Sequence, residues 1–161
     1  YLNLIYKAKR YIYITTPYLV INNEMLTALT SAAKAGVDVR IITPHIPDKW
    51  YVHAVTRSNY KALVESGIKI YEYAPGFIHA KTLVADDEYG IVGTINMDYR
   101  SLYLHFECGV WMYKTSSVLD LKEDFREITR LCKPITLEDI HEMKWYDKII
   151  GSVLRVFAPL M

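Results

Sequence analysis

The sequence predicts an α/β domain built on a mixed β-sheet that helices flank. Strand-like segments alternate with helix-like segments along the chain, which is the order expected of right-handed βαβ units. Of the 161 residues, 52% are apolar, which is enough to bury the core of one domain. The sequence contains no internal repeat, low-complexity tract or long linker. We therefore expect one domain over residues 1–161.

Three strand-like segments occupy the first half of the chain, at residues 11–15, 37–41 and 68–73. β-Branched and aromatic residues dominate the first, and apolar residues alternate with charged ones in the second. A fourth strand is expected near residues 78–85, and a fifth long strand over 106–113. Together these segments supply the strands of the predicted sheet.

Helix signals fall between the first strands. Asn22 and Asn23 can cap a helix that ends at Gly36, because a side-chain oxygen accepts from free amides and glycine tolerates the left-handed conformation. Asp48 is the expected cap of a second helix, which runs to Glu65. These helices are expected to cover the sheet.

The last third of the chain is predicted to be mainly helical. The pairs Ser117/Asp120 and Thr136/Asp139 each resemble a capping box that opens a helix. In residues 145–161, apolar side chains spread around much of a helix. This segment has two interpretations, which the sequence leaves open: it docks on the sheet or on a partner domain, or it lies at a membrane interface.

Charge and cysteine content narrow the classes of function. A formal net charge of +1 argues against a strong electrostatic nucleic-acid binder. Cys108 and Cys132 have no metal-ligand spacing and suggest no disulfide framework, so reduced thiols are expected. The sequence shows no signal peptide and no bilayer-spanning run. Because Tyr1 stands within a helical pattern and is not a methionine, we expect a piece of a longer protein.

The stretch 78–107, IHAKTLVADDEYGIVGTINMDYRSLYLHFE, concentrates the residues suited to chemistry. His79 and Lys81 are two positions apart, so they project from the same face of an extended strand. Residues 86–88 form a polar turn, and 89–93 a second short strand, as in a hairpin. An imidazole and an ammonium on one face can bind an anion, attack phosphorus or relay a proton.

An isolated His-x-Lys pair is more commonly an exposed pair on a strand edge. Here it belongs to a longer pattern, in which Asp86 follows after four residues and Gly93-Thr94-x-Asn96 after six more. Glycine, threonine and asparagine bring backbone and amide donors to the end of the hairpin. The full spacing therefore favours an anion site over the edge pair.

This spacing resembles the HKD motif of the phospholipase D superfamily, HxKxxxxDxxxxxxG(S/T)xN. The run GTINMDYRSLYLHFECGVW is similar to the bacterial cardiolipin synthase family in particular. The same family is also resembled by four other segments: YIYITTPYLV, GVDVRIITP, GIKIYEYAPGFIHAK and the closing FAPLM. The likeness therefore covers nearly the whole chain. The resemblance implies a phospholipase D/nuclease-like half-domain, corresponding to the C-terminal catalytic half of a two-motif enzyme.

The resemblance also implies roles for the motif residues. His79 would be the catalytic histidine, and Glu107 matches the carboxylate that orients it by hydrogen bonding. Lys81 and Asn96 would hold the non-bridging phosphate oxygens, and Thr94 would add a hydroxyl.

Other residues of the stretch have less direct assignments. Asp86 belongs to the catalytic motif, yet its place beyond the strand suggests a structural carboxylate that pairs with a neighbouring loop. Arg100 and Ser101 either reach a glycerol or phosphate group or form a solvated surface pair. Tyrosines are expected to line the core or the pocket wall, at Tyr18, Tyr71 and Tyr73.

The implied reaction is phosphatidyl transfer without a metal or other cofactor. Phosphatidylglycerol would be attacked to give a phosphatidyl-histidine, glycerol would leave, and a second phosphatidylglycerol would yield cardiolipin. Two alternatives stay open: a homodimeric phosphodiesterase, either phospholipase D or nuclease, and an incomplete half-domain that only binds phosphate or lipid. His79 could act as nucleophile or as general acid.

The implied partners follow from the motif count. Two HKD motifs are needed, but the remaining histidines lack the following lysine and the Gly-Thr-x-Asn context: His45, His53, His105 and His141. A second half would come from an N-terminal region or from a homodimer. The substrate would be a phospholipid, with no nucleic acid expected. The resemblance places the full-length protein at the bacterial cell membrane, with this domain on the cytoplasmic side, and the fragment itself is expected to be soluble.

Overall fold

The computed structural model of the chain describes the backbone of residues 1–143 and 145–160. It also describes their side chains, except those at positions 146–148 and 160. It confirms the mixed sheet flanked by helices. The strands are β1 (Tyr11–Thr15), β2 (Leu19–Val20), β3 (Asp38–Pro44), β4 (Lys69–Tyr73), β5 (Thr82–Ala85), β6 (Tyr89–Gly93), β7 (Met97–Asp98), β8 (Gly109–Tyr113) and β9 (Cys132–Ile135). The helices are α1 (Leu2–Lys7), α2 (Asn23–Lys34), α3 (Trp50–Glu65), α4 (Ser116–Thr129), α5 (Leu137–Glu142) and α6 (Trp145–Arg155).

Seven strands form the main sheet, in the order β8-β6-β5-β1-β3-β4-β9. The central strands β1, β3 and β4 are parallel, whereas the outer strands pair antiparallel with their neighbours. Strands β2 and β7 make a separate parallel pair of two residues each. This order places the β5–β6 hairpin, which carries the motif, directly beside the central strand β1.

Successive residues of β1 face opposite sides of the sheet, as the pleat requires. Ile12 and Ile14 enter the larger apolar cluster with residues of α1, α2 and α3. Tyr11 and Tyr13 face the smaller cluster, where the Tyr13 ring lies 4.8 Å from Phe125 of α4. Helices on both faces therefore bury the central strands of the sheet, and β5 lies among them.

Two of the predicted helix caps are confirmed. The Asn22 side chain accepts a hydrogen bond from the Met25 amide, 2.9 Å away, at the start of α2. Thr136 and Asp139 form the reciprocal capping box that opens α5. The stop at Gly36 is also confirmed, because this glycine has φ +95°.

The other two predicted caps are wrong. Helix α3 begins after Lys49, and the Asp48 carboxylate instead accepts a hydrogen bond from the Tyr18 hydroxyl. Helix α4 begins at Ser116, after Thr115, so Ser117 is already within the first turn. Among the described residues, no side chain caps the first amides of either helix.

Helix α6 packs against α3 of the same domain, whereas one interpretation of the sequence placed it on the sheet or on a partner domain. A side chain at Gly151 would lie 2.8 Å from the Ala54 carbonyl oxygen, so glycine permits this close approach. Ile149 and Val153 remain exposed. Met161, the last residue of the predicted segment, lies outside the described residues, and the segment's contact with lipid stays a prediction. Within the described ranges, no helix is long and apolar enough to cross a membrane.

Candidate active site

All of the motif residues except Asp86 line one open pocket of about 460 Å³. His79 and Lys81 line it from the segment before β5, and Thr94 and Asn96 line it from the segment after β6. The predicted strand is shorter than expected, since β5 begins only at Thr82. The His79–Lys81 segment is nevertheless placed so that both residues contact the pocket.

The hairpin brings these segments together through a tight turn and a close strand pair. Asp86 and Asp87 have φ values of 56° and 63°, the left-handed conformation found in hairpin turns. At the other end, a Cβ atom on Gly93 would lie 2.3 Å from the Cys108 carbonyl oxygen. The same carbonyl accepts from the Thr94 amide at 2.9 Å. Glycine at position 93 therefore allows the backbone contact that positions Thr94.

Lys81 is only 8% exposed, and its Nζ atom donates a hydrogen bond to the His79 carbonyl oxygen at 2.6 Å. Burial lowers the pKa of Lys81, while the carboxylates of Glu107 and Asp98 raise it. The pocket therefore contains a partly desolvated ammonium whose charge interacts strongly with an anion.

The His79 ring is exposed to the pocket and lies 5.4 Å from the Phe77 ring. Partial desolvation lowers the pKa of His79, the Lys81 ammonium lowers it further, and Asp48 opposes both. A lowered pKa keeps the imidazole neutral near pH 7, the form that can attack phosphorus or accept a proton. Phe77 was not anticipated from the sequence.

The expected contact between Glu107 and His79 is absent. Glu107 instead accepts a hydrogen bond from the Thr94 hydroxyl. Hydrogen bonding to Thr94 is the main cause of its lowered pKa. In the part of the chain that the structure describes, no group is hydrogen-bonded to a ring nitrogen of His79. The predicted strand from Phe106 begins only at Gly109, so Glu107 lies on the irregular segment that faces Thr94.

Asn96 lies at the junction between the motif pocket and the turn that follows it. Its Nδ2 atom donates to the Ser101 hydroxyl at 3.1 Å. The Asn96 Oδ1 atom is buried without a donor among the described residues. Asp98 accepts from the Ser101 amide at 2.7 Å, and burial raises the pKa of this carboxyl. These contacts fix Asn96 beside the pocket.

Asp86 lies outside the pocket and joins the motif hairpin to the start of the sheet. Its carboxylate accepts hydrogen bonds from the amides of Lys9, Arg10 and Tyr11, at 2.7, 2.9 and 2.9 Å. Such contacts suit a structural role, as the sequence suggested.

A second recess of about 310 Å³ shares Asn96 with the motif pocket. Its walls come from the segments 18–20, 49–52 and 96–107. Tyr18 lines it, as expected of a pocket-wall aromatic, whereas Tyr71 and Tyr73 pack against the smaller core cluster. Of the pair at positions 100–101, Arg100 is exposed and Ser101 is buried, so they do not form a solvated pair. Sequence patterns gave no signal for Lys49 or His105 in this recess.

The architecture is that of a phospholipase D-type domain. The solved structure of Nuc, a phospholipase D family member from Salmonella typhimurium, superimposes with a TM-score of 0.72 over 83% of this chain and 87% of that one. The two sequences are 19% identical, so this likeness concerns the fold.

The sequence comparisons identify the family. Residues 1–129 match the family described as "Cardiolipin synthase, PLD-like domain", and the chain belongs to it. Over all 161 residues the chain is 47% identical to a protein of Streptococcus mutans and 39% identical to a cardiolipin synthase of Halalkalibacterium halodurans. It spans 35% and 32% of their lengths, about a third.

Proposed function

We propose that this chain is a catalytic part of a cardiolipin synthase that transfers a phosphatidyl group between two phosphatidylglycerol molecules. The observation that carries the proposal is the shared pocket of His79, Lys81 and Asn96. A neutral imidazole, a partly desolvated ammonium and an amide together suit a phosphodiester better than a neutral ligand.

The reaction proceeds in two displacements at phosphorus. In the first, an imidazole nitrogen bonds to phosphorus while the bond to the glycerol oxygen breaks, and a second histidine protonates that oxygen. In the second, the hydroxyl oxygen of another phosphatidylglycerol bonds to phosphorus, its proton passes to the second histidine, and the electron pair of the P–N bond returns to the ring. Lys81 and Asn96 stabilise the non-bridging oxygens in both steps, whereas the Thr94 hydroxyl already donates its single proton to Glu107. His79 is one of the two histidines.

A complete site requires a second HKD half, because the attacking and leaving groups lie on opposite sides of phosphorus. The surface beside the motif is suited to such a partner. Leu104, Phe106 and Val110 are all exposed there, and Val92 on the pocket wall is also exposed. We propose that the rest of the full-length protein, or a second copy of this chain, covers these side chains.

Mixing the chain with a separately expressed N-terminal half tests the proposal. Cardiolipin is measured by mass spectrometry after incubation with phosphatidylglycerol vesicles. Neither half alone, kept strictly monomeric, should form cardiolipin, and the mixture should. Full activity of the strictly monomeric chain would contradict the half-site argument. Cleavage of DNA by the mixture without phosphatidyl transfer would favour a nuclease.

A further inference from the structure

The second recess contains two cations that lack acidic partners. Among residues 1–143 and 145–160, neither Lys49 nor Arg100 forms an ion pair with a carboxylate. The Lys49 ammonium lies 5.7 Å from the centre of the Tyr18 ring. The Arg100 Nε atom lies 2.6 Å from the His105 Nε2 atom, so the two terminal guanidinium nitrogens remain available.

The carboxylates of the same recess already have donors. Asp98 accepts from the Ser101 amide, and Glu107 accepts from the Thr94 hydroxyl. The two carboxylates reduce the net positive charge of the recess. The hydrogen bonds from the Ser101 amide and the Thr94 hydroxyl hold them in place. Lys49 and Arg100 are therefore the groups free to receive an incoming anion.

We propose that the second recess binds the phosphate of the acceptor phospholipid, with Lys49 and Arg100 as its specificity-determining residues. This inference rests on the proposed function and deepens it. The motif pocket holds the phosphate that reacts, and the second recess holds the phosphate that does not. Asn96 contacts both spaces.

The chemistry of the product matches two neighbouring anion sites. A lipid of this kind carries two phosphodiesters joined by one three-carbon glycerol, so its phosphates lie close together but never share an atom. Two neighbouring spaces that each contain basic side chains and share Asn96 satisfy that requirement. Water and free glycerol lack the second phosphate, so they gain nothing from Lys49 and Arg100. The recess thus selects among acceptors.

The chemical step that transfers the phosphatidyl group is the same for every acceptor. The acceptor hydroxyl oxygen bonds to phosphorus, the P–N bond breaks with its electron pair returning to the imidazole, and the hydroxyl proton passes to the second histidine. Only the affinity for the acceptor differs. Losing one charge-assisted contact to phosphate should reduce the selectivity for the phospholipid acceptor about ten-fold.

A competition assay on the full-length enzyme tests this inference. Phosphatidylglycerol vesicles are incubated with isotope-labelled glycerol in the buffer, and mass spectrometry measures both products. Cardiolipin reports the phospholipid acceptor, and labelled phosphatidylglycerol reports the glycerol acceptor. In Lys49→Met and Arg100→Gln, the ratio of cardiolipin to labelled phosphatidylglycerol should fall about ten-fold.

Matched variants distinguish an effect of lost charge from an effect of impaired folding. Lys49→Arg and Arg100→Lys should keep most of the selectivity, and Lys34→Met, at a lysine of α2 remote from the recess, should leave the ratio unchanged. If the ratio stays constant in Lys49→Met and Arg100→Gln, or if the charge-retaining variants lose it equally, the inference is wrong. A wild-type enzyme that forms neither product overturns the proposed function, and this inference with it.

Discussion

The Lys81 ammonium is hydrogen-bonded to the backbone carbonyl of His79, 2.6 Å away. The cation of the site is therefore held by the same short segment that carries the imidazole. The Gly93 amide of β6 also donates to the Lys81 carbonyl oxygen at 3.2 Å, so the hairpin partner helps to hold this segment. The contact between Lys81 and His79 places a positive charge beside the ring, where it disfavours protonation of His79.

Replacing Lys81 should change the titration of His79. The pKa of His79 lies below its ordinary value of about 6.5, so the ring takes up its proton only at lower pH. Lys81→Met removes the positive charge but not the partial burial, so the pKa should rise part of the way towards 6.5. The ring proton shifts of His79, followed by NMR across about pH 4–9, measure both values. A wild-type midpoint above about 6.5 would contradict this account.

Removing the imidazole should abolish most of the activity of the full-length enzyme. His79→Asn should reduce cardiolipin formation by about two to four orders of magnitude, the usual scale for a positioned acid or base. The variant should keep the wild-type melting temperature, because the His79 ring is exposed. His53→Asn is a suitable control, since His53 lies in α3 outside the motif. Near-normal turnover in folded His79→Asn would refute the assigned role.

Asp86 should matter for stability more than for chemistry. Asp86→Asn removes the negative charge that three backbone amides share, at an expected cost of about 1–3 kcal/mol. For a domain of this size, that loss lowers the melting temperature by roughly 2–12 °C. Asparagine tolerates the left-handed backbone at this position, so the change isolates the carboxylate.

Calorimetry measures the effect, with Asp124→Asn on the exposed surface of α4 as the control. An unchanged melting temperature in Asp86→Asn would show that the three contacts contribute little.

Gly93 should not tolerate a side chain. In Gly93→Ala, the new Cβ atom would lie 2.3 Å from the Cys108 carbonyl oxygen, so β6 and β8 must separate. We expect a loss of stability of about 1–3 kcal/mol, the usual cost of overpacking. A Cβ atom at Gly76 would meet no described atom within 4 Å beyond its chain neighbours, so Gly76→Ala is the matched control. Urea unfolding of both variants compares them, and equal midpoints would exclude the steric explanation.

Local sequence signals predicted the parts of the fold that depend on local interactions. Asn22 caps α2 because its side chain bonds an amide three residues ahead, a contact visible as spacing. Asp48 has the same capping chemistry, but the distant Tyr18 hydroxyl takes its carboxylate. The strand β9 was missed because its short CKPI sequence contains proline, and only pairing with β4 makes it a strand.

In the site, too, the features set by local spacing were predictable and those set by distant contacts were not. The spacing of His79, Lys81 and Asn96 predicted their shared pocket, since all three belong to one hairpin and its flanks. The partner of Glu107 could not be predicted in this way. The path of residues 100–108 depends on a π-helical turn, and that path directs the carboxylate to Thr94 and not to His79.

Strand β8 ends the main sheet and bears exposed Val110, Trp111 and Tyr113. An open strand edge with apolar side chains is a template for pairing with strands of other molecules. The chain handled alone is therefore expected to self-associate as its concentration rises. Charged replacements on this strand would improve its solubility, and coexpression with the proposed partner half would do so without altering the sequence.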